Sequence, residues 1–266
     1  MRRYAFFNFI LMNLFIWGVY FCEYHPKSHS HWDYSEKHGP PHWSEIDSNC
    51  NGKHQSPINI IDVETVPATF TKGIIETKYE KETTIKSVTN NGHSIQYNFD
   101  ENLNSIEYAS VEYKLKQFHF HSPSEHTLNG VSYPLEIHMV HHSAEKDAYI
   151  ILSLLAQQGK ADTVFSFLQK YLPLPSGETK TVEEKYDFGT TISSAFGVDS
   201  LSVYTYKGSL TTPPCSEEVY WIVMKDPIQI SEKQLHMIQK LMPHNNHRDI
   251  KPLNNRIVYH EIIFDE

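Results

Sequence analysis

Apolar and polar residues alternate along much of the middle of the chain. Residues 94–99 read Ser-Ile-Gln-Tyr-Asn-Phe just after an Asn91-Gly92 turn signal, and residues 117–121 and 135–140 alternate in the same way. Asn129-Gly130 marks another turn between the last two segments. A period of two predicts β-strands with one buried face. The mostly apolar run 148–156, which Gly159 follows, fits a fully buried strand. The pattern therefore predicts a succession of strands over residues 57–160.

Two later segments have helical spacing instead. The first covers about residues 162–172, with Asp162 as a candidate cap, and the second about residues 232–242, where Ser231 and Gln234 form a capping-box pattern. The apolar positions that would face the core are Val164, Phe165, Leu168, Leu172, Leu235, Ile238, Leu241 and Met242.

Few helices among many strands, with no internal repeat, predict a mainly β (α+β) single domain with peripheral helices. The 266 residues suit one all-β domain. A 39% apolar content is enough to bury a core, and the net charge of -9 argues against nucleic acid as a partner.

The first residues differ from the rest of the chain. Met1, Arg2 and Arg3 precede an apolar run from about residue 5 to 21, which is the pattern of a secretory signal peptide. We expect residues 1–22 to be this leader, cut near Cys22, and residues 23–266 to form a secreted or periplasmic domain. An uncleaved membrane anchor is the alternative. No later segment is long enough to cross a bilayer, so no other membrane contact is expected.

Three cysteines bear on the compartment. Removal of Cys22 with the leader would leave Cys50 and Cys215 as an even pair in an oxidising compartment, which favours a disulfide. Two unrelated free thiols are the alternative.

The 17 histidines include a cluster in residues 23–50. A second metal site is conceivable there, although a polar, partly mobile terminus is the interpretation we favour. The cluster comprises His25, His29, His31, His38 and His42.

A more informative group lies in the alternating segments. His119 and His121 would share one strand face while Phe118 and Phe120 face a core, and His138 in the second segment could supply a third imidazole. Three histidines leave tetrahedral zinc one open position, which is typical of a catalytic site. Taken alone, His-x-His is a weak signal in a chain so rich in histidine.

The surrounding motifs make the signal much stronger. The sequence from about His31 to Arg256 resembles the alpha-class carbonic anhydrases, and its short interval between His121 and His138 resembles the bacterial members. The matching motifs, in order, are 31–34 (HWDY), 39–43 (GPPHW), 55–60 (QSPINI), 90–93 (NNGH), 117–121 (QFHFH), 124–126 (SEH), 136–141 (EIHMVH), 208–215 (GSLTTPPC) and 254–256 (NNR).

This resemblance implies the family's large, mostly antiparallel twisted central sheet and a role for each matching residue. The zinc ligands would be His119, His121 and His138. Glu125 would accept the hydroxyl proton of Thr211, and His93 would shuttle protons. Taken singly, these last three residues also fit a loop carboxylate, a turn threonine and an exposed histidine.

Other implied roles surround these residues. Those that would orient the ligands are Gln117 and Glu136, and those that would order a water chain are Tyr34, Asn91 and Gln96. The substrate wall would comprise Val140, Ile151, Leu210, Thr211, Thr212, Val219 and Trp221, the apolar members of which also fit an ordinary core. The resemblance further implies a Cys50–Cys215 disulfide and cis peptides at Ser56-Pro57 and Pro213-Pro214.

The implied activity is zinc-dependent, reversible hydration of carbon dioxide to bicarbonate and a proton, with zinc-bound hydroxide as the nucleophile and weak esterase activity alongside. Anions and sulfonamides are the expected inhibitors, and a homodimer is one expected assembly. The alternatives are a non-catalytic binding protein on the same fold, which the intact ligand set opposes, and another kind of zinc hydrolase, for which no His-Glu-x-x-His motif is present. Asp33 and the Ser-Pro after His121 depart from many family members.

Overall fold

The computed structural model describes residues 31–68, 75–79, 83–100, 104–182, 185–186 and 200–264. The predicted leader, Cys22, His25 and His29 lie outside the described residues, so the leader and its cleavage stay predictions. Among the described residues, no helix is both long and apolar enough to span a membrane.

Strands are far more extensive than helices in the described chain, as the alternation predicts. They are β1 (Asn59–Ile60), β2 (Val66–Pro67), β3 (Ile75–Tyr79), β4 (Thr83–Asn90), β5 (Ile95–Phe99), β6 (Asn104–Tyr108), β7 (Val111–His121), β8 (Thr127–Leu128), β9 (Leu135–Ser143), β10 (Ala148–Gln158), β11 (Thr179–Thr181), β12 (Lys185–Tyr186), β13 (Ser200–Gly208), β14 (Val219–Met224), β15 (Ile228–Ile230) and β16 (Tyr259–Phe264).

One large mixed sheet contains most of these strands. Its order is β11-β4-β5-β7-β9-β10-β14-β13-β16-β2, with β6 beside β7, β3 beside β6, β15 beside β10 and β12 beside β4. Most neighbouring strands are antiparallel, but β10 runs parallel to β14 and β15, and β16 runs parallel to β2. A separate two-stranded ladder pairs β1 with β8. The predicted fold class is confirmed.

The two faces of the sheet carry different cores. Phe118 and Phe120 of β7 belong to the larger core, with Ile137 and Met139 of β9. The smaller core lies on the other face, which also carries His119. Its buried members are Ile58, Ile60, Leu128, Val140, Ile151, Leu155, Tyr204, Tyr206, Val219, Trp221, Val223 and Val258. The polar side chains of the functional site therefore lie beside the smaller core.

The helices among the described residues are short and peripheral. They are α1 (Trp43–Ile46), α2 (Thr163–Leu168) and α3 (Glu232–Gln239), with 3-10 turns at Pro40–His42, Ser48–Asn51, Asp62–Glu64 and Gln169–Tyr171. The predicted capping box of Ser231 and Gln234 is present, and Asp162 accepts from the Phe165 N–H. Both helices end before the predicted residue. The first tightens into a 3-10 turn before Pro173, and Pro243 follows the second, since proline cannot continue a helix.

Candidate metal centre

The register of the central sheet brings the three histidines together. His119 on β7 is the cross-strand partner of His138 on β9. His121 lies two residues further along β7, on the same face, opposite Glu136. The Asn129-Gly130 turn lies between β8 and β9, with both residues at positive φ, as the turn signal predicts. Strand alternation and antiparallel pairing therefore place all three imidazoles on one face of the sheet.

The geometry of the three rings suits a single ion. Each histidine offers one ring nitrogen, and these nitrogens all lie within 4.8 Å of one another. Ring centroids are 4.9 Å apart for His119 and His121, 5.3 Å for His119 and His138, and 4.6 Å for His121 and His138. No acidic group is part of this set, which leaves room for a further, non-protein ligand.

The second nitrogen of each ring has its own acceptor. His119 Nδ1 lies 2.9 Å from Gln117 Oε1, and His138 Nε2 lies 2.7 Å from Glu136 Oε1, as the resemblance implies. His121 Nδ1 lies 2.7 Å from the backbone oxygen of Asn246. Each ring thus donates outward, which fixes its tautomer and leaves His119 Nε2, His121 Nε2 and His138 Nδ1 for a metal.

The electrostatics also favour a metal ligand set. Burial lowers the pKa of His119 well below its ordinary value, that of His121 to about 4, and that of His138 more moderately. All three imidazoles are therefore neutral at physiological pH, which metal binding requires. His121 Nε2 is buried with no hydrogen-bond partner among the described residues. Three neutral ring nitrogens, one of them buried without a hydrogen-bond partner among the described residues, fit zinc, which commonly binds histidine nitrogen.

Glu136 is a fully buried carboxylate with five donors. Its Oε1 receives His138 Nε2 and His126 Nδ1, each at 2.7 Å, and Ser153 Oγ at 2.6 Å. Its Oε2 receives the backbone N–H groups of Glu125 at 2.7 Å and His126 at 2.8 Å. Burial acts to raise the pKa of Glu136, but neighbouring His126 and His138 hold it well below its usual range.

His126, Glu136 and His138 also meet the distance requirement for a metal site. Their nitrogens and carboxylate are already hydrogen-bonded to one another, and His126 Nε2 lies 2.6 Å from the Tyr206 hydroxyl. We therefore assign this group to support of His138. Sequence reasoning missed His126, although it lies inside the matching motif 124–126.

Asn246 is a second residue that sequence reasoning missed. It is fully buried, and its side chain binds three backbone groups around the site: the N–H of Ser122 at 2.8 Å and the carbonyls of Phe120 and His93 at 2.9 and 3.0 Å. These bonds hold the Asn246 carbonyl in place against His121.

Glu125 is buried beside two of the histidines, with its carboxylate oxygens 3.6 Å from His121 Nδ1 and 3.8 Å from His138 Nδ1. Its Oε1 accepts the Arg248 N–H at 2.9 Å, while its Oε2 has no partner within hydrogen-bonding distance among the described residues. Burial raises the pKa of Glu125, whereas its proximity to the His138 ring and to the Thr211 hydroxyl acts to lower it. Oε2 is therefore an available acceptor for the Thr211 hydroxyl, as the resemblance implies.

The loop that carries Leu210, Thr211 and Thr212 is anchored on both sides. The Trp221 indole donates to the Ser209 carbonyl at 3.1 Å, and Ser56 exchanges two hydrogen bonds with Ser209. The far end of the loop is tied by the predicted Cys50–Cys215 disulfide, which is confirmed in the structure. The peptide bonds at Ser56-Pro57 and Pro213-Pro214 are cis, as are those at Ser122-Pro123 and Leu172-Pro173.

Arg248 links Glu125 to residues 50–56. Its guanidinium is 1% exposed and donates to Gln55 Oε1 at 2.8 Å, to the Ser56 carbonyl at 3.0 Å and to the Cys50 carbonyl at 2.9 Å. No sequence pattern pointed to Arg248, because its partners are mostly backbone groups about 190 residues away.

His93 stacks on an aromatic ring at the edge of the described site. Its imidazole lies 3.9 Å from the Trp32 ring at an interplanar angle of 14°. Partial burial lowers the pKa of His93, with His31 adding to the effect and Asp33 opposing it. The ring stays largely neutral at pH 7, able to accept a proton.

The three polar residues predicted to order water surround His93 and β5. Asn91 Oδ1 accepts from the backbone N–H of His93 at 2.9 Å, and Asn91 Nδ2 lies 3.5 Å from Gln96 Oε1. The Tyr34 ring centroid is 6.4 Å from that of His93, and burial raises the pKa of Tyr34 well above its ordinary value. The structure thus brings Tyr34 and Asn91 close to His93, with Gln96 beside Asn91. It shows no water.

The apolar residues predicted to form a substrate wall lie beside the three histidines. Val140, Ile151, Val219 and Trp221 are buried in the smaller core, and Leu210 packs against it half-exposed. The Trp221 ring lies 4.9 Å from that of His138. Thr211 is buried and Thr212 half-buried in the adjoining loop. An apolar wall beside the open metal position suits a small uncharged molecule.

Comparison with known proteins agrees with this geometry. The model of the eukaryotic-type carbonic anhydrase family matches residues 38–262. The chain is 34% identical over 235 residues to a carbonic anhydrase of Neisseria gonorrhoeae, covering 87% of this chain and 88% of that protein. It is 35% identical over 236 residues to one of Klebsiella pneumoniae, covering 86% and 90%. A solved alpha-carbonic anhydrase of Thermovibrio ammonificans, in complex with the inhibitor sulfanilamide, superposes with a TM-score of 0.77 at 35% identity, covering 86% of this chain and 98% of that one.

Proposed function

This chain belongs to the eukaryotic-type (alpha) carbonic anhydrases, a family of enzymes, and on that premise we propose how its residues hydrate carbon dioxide with zinc. The reaction joins carbon dioxide and water into bicarbonate and releases one proton, and it is reversible. The observation that carries the proposal is the ligand set of His119, His121 and His138, whose nitrogens lie within 4.8 Å of one another while their opposite nitrogens are hydrogen-bonded.

Zinc on these three histidines supplies a Lewis acid that lowers the pKa of a bound water to about 7. The protein's part is to hold the rings neutral and correctly turned. Gln117, Glu136 and the Asn246 carbonyl each accept one outward ring N–H, so each imidazole presents a lone pair to the ion.

Glu125 and Thr211 set the orientation of the reacting water. The unpartnered Glu125 Oε2 supports a hydrogen bond from the Thr211 hydroxyl. A threonine oxygen that donates to Glu125 can only accept from its other side, so it selects a partner that still carries a proton. The Thr211 N–H is then available as a donor to a developing negative oxygen.

His93 carries the released proton away from the site. Its pKa is lowered by partial burial, so the neutral ring accepts a proton and gives it up readily to buffer. The Trp32 face on which it stacks supports one defined position for the ring. The polar side chains of Tyr34, Asn91 and Gln96 would order the water that connects His93 with the metal.

We extend the proposal to compartment and inhibitors. The Cys50–Cys215 disulfide supports a secreted or periplasmic enzyme, since disulfides persist in oxidising compartments. The sulfanilamide bound to the Thermovibrio ammonificans relative supports inhibition by sulfonamides, and by anions that take the same position on the metal. A homodimer stays a prediction.

Metal analysis and stopped-flow carbon dioxide hydration test the proposal together. The wild-type protein should hold about one zinc per chain and hydrate carbon dioxide. His119→Ala should lose most of the zinc and the activity, while the matched control His236→Ala, an exposed histidine of α3, should retain both. Zinc bound without hydration would favour the non-catalytic binding protein and overturn the proposal. Hydration that His119→Ala leaves intact would overturn the assigned site.

A further inference from the structure

A serine interrupts the buried, apolar centre of β10. Ser153 lies between Leu152 and Leu154 and is 0% exposed. A buried hydroxyl is unfavourable unless it is hydrogen-bonded, so a serine at such a position needs a specific partner. Its cross-strand neighbour on β9 is the metal ligand His138, and the two side chains share a face of the sheet.

The partner of Ser153 is the carboxylate that orients His138. Ser153 Oγ donates to Glu136 Oε1 at 2.6 Å, the same oxygen that receives His138 Nε2. His126 Nδ1 is the third donor to this oxygen. Two backbone N–H groups hold only the other oxygen, Oε2. Apart from the two imidazoles, Ser153 is the only side chain among the described residues that binds Glu136 Oε1.

We infer that Ser153 is a positioning residue for the metal centre, and this inference rests on the proposed zinc function. Its hydroxyl fixes Glu136 Oε1 against His138 Nε2, and the fixed oxygen keeps the His138 ring turned with Nδ1 toward the metal. Without the Ser153 hydroxyl, Glu136 Oε1 is held only by the rings of His126 and His138. The His138 ring in turn depends on that oxygen for its orientation. The His138 ring is then less firmly oriented, and the metal leaves more readily.

The test is the rate at which zinc leaves the holoenzyme for an excess of chelator. Ser153→Ala should release zinc roughly 3–10-fold faster than wild type. This is less than the roughly 10–100-fold loss of metal affinity expected when a residue that binds a ligand ring directly is removed, because Ser153 acts through Glu136. The matched control is Ser143→Ala, which removes another buried hydroxyl near the far end of β9. It should release zinc at the wild-type rate. Ser153→Thr, which keeps the hydroxyl, should also release zinc slowly.

A spectrum separates positioning from general loosening of the core. In cobalt-substituted protein, Ser153→Ala should shift the visible absorption bands, while Ser143→Ala should superpose on wild type. Zinc release from Ser153→Ala at the wild-type rate, or equal acceleration by Ser143→Ala, overturns the inference. A wild-type protein that holds no zinc overturns the proposed function and this inference together, whereas a zinc-bound wild type with an unchanged Ser153→Ala overturns the inference alone.

Discussion

At the scale of single residues, a local turn and a neighbouring ring set the position of His93, the proposed proton-transfer group. Asn91 closes the turn by accepting the backbone N–H groups of His93 and Ser94 at 2.9 and 2.8 Å, and Gly92 supplies a positive φ of 83°. The His93 ring then lies on Trp32 and is partly exposed.

We predict that His93→Ala lowers kcat for carbon dioxide hydration while changing kcat/KM little. The loss should be roughly 10²-fold in weakly buffered solution, the lower end of what a positioned proton-transfer group contributes. Stopped-flow assays should also show that added imidazole buffer restores much of kcat. A kcat that is unchanged in weak buffer would contradict the assigned role.

His141 is a buried histidine outside the metal site. It follows His138 on β9 but faces the larger core, where its Nε2 lies 2.7 Å from the Tyr79 hydroxyl and its Nδ1 lies 3.0 Å from the Met139 carbonyl. Burial lowers the pKa of His141 to about 4. The folded protein therefore holds this ring neutral at pH values where the unfolded chain protonates it.

We predict that His141 makes the protein less stable in mild acid. Below the unfolded pKa of about 6.5 only the unfolded state takes up the proton, so stability falls as the pH drops from 6.5 towards 4, by about 2 kcal/mol at pH 5. His141→Gln cannot take up this proton. Urea unfolding at several pH values between 5 and 7 gives the slope of the unfolding free energy against pH. That slope should be smaller in the variant, by an amount equivalent to about one bound proton. Equal slopes in both proteins would contradict the assignment.

Residue positions at the site were predictable wherever a side chain on a strand carried the role. Gln117 and Glu136 each lie two residues from the histidine they orient, so alternation alone places them on its face. The Asn246 carbonyl was not predictable, since every residue has one and this one comes from 125 positions away. Ser153 escaped notice for a similar reason, because a single serine in an apolar run is uninformative without the strand register.

At the scale of elements, the loop between β13 and β14 carries Leu210, Thr211 and Thr212. The loop connects two antiparallel strands. A hydrogen bond from Ser56 and the disulfide to Cys50 attach it to residues 50–56. The position of Thr211 therefore depends on contacts with residues that precede β1.

We predict that removal of the Cys50–Cys215 bond destabilises the protein. The 165-residue separation corresponds to about 5 kcal/mol on the chain-entropy model. A Cys50→Ser, Cys215→Ser double variant should unfold at a lower denaturant concentration than the oxidised wild type, and reduced wild type should match the variant. Coincident unfolding curves for oxidised and reduced protein would refute this prediction.

The sequence predicted the kind of element better than its extent. The capping box of α3 and the turn at Asn129-Gly130 depend on local chemistry and occur where predicted. The helix ends depend on packing and on the prolines beyond them, so α2 and α3 are shorter than their apolar spacing suggests.

At the scale of the whole molecule, one sheet provides both the site and its support. The row His119, His138 and Ser153 crosses three adjacent antiparallel strands, and the parallel strand β14 adds Trp221 beside it. Alternation predicts the faces of such strands, but the strand order and the parallel pairing of β10 with β14 depend on long connections. The resemblance to a known family indicated a large, mostly antiparallel twisted sheet, and the strand order itself was not predicted.

The central claim is that one zinc ion on His119, His121 and His138 makes this protein a carbon dioxide hydratase. The most direct test is to strip the metal with chelator and follow carbon dioxide hydration as zinc is returned in steps. We expect negligible hydration without metal. The hydration rate should rise linearly with added zinc and stop rising at about one zinc per chain, because the ligand set holds a single ion. Hydration by the metal-free protein, or a rise that continues well beyond one equivalent, would contradict it.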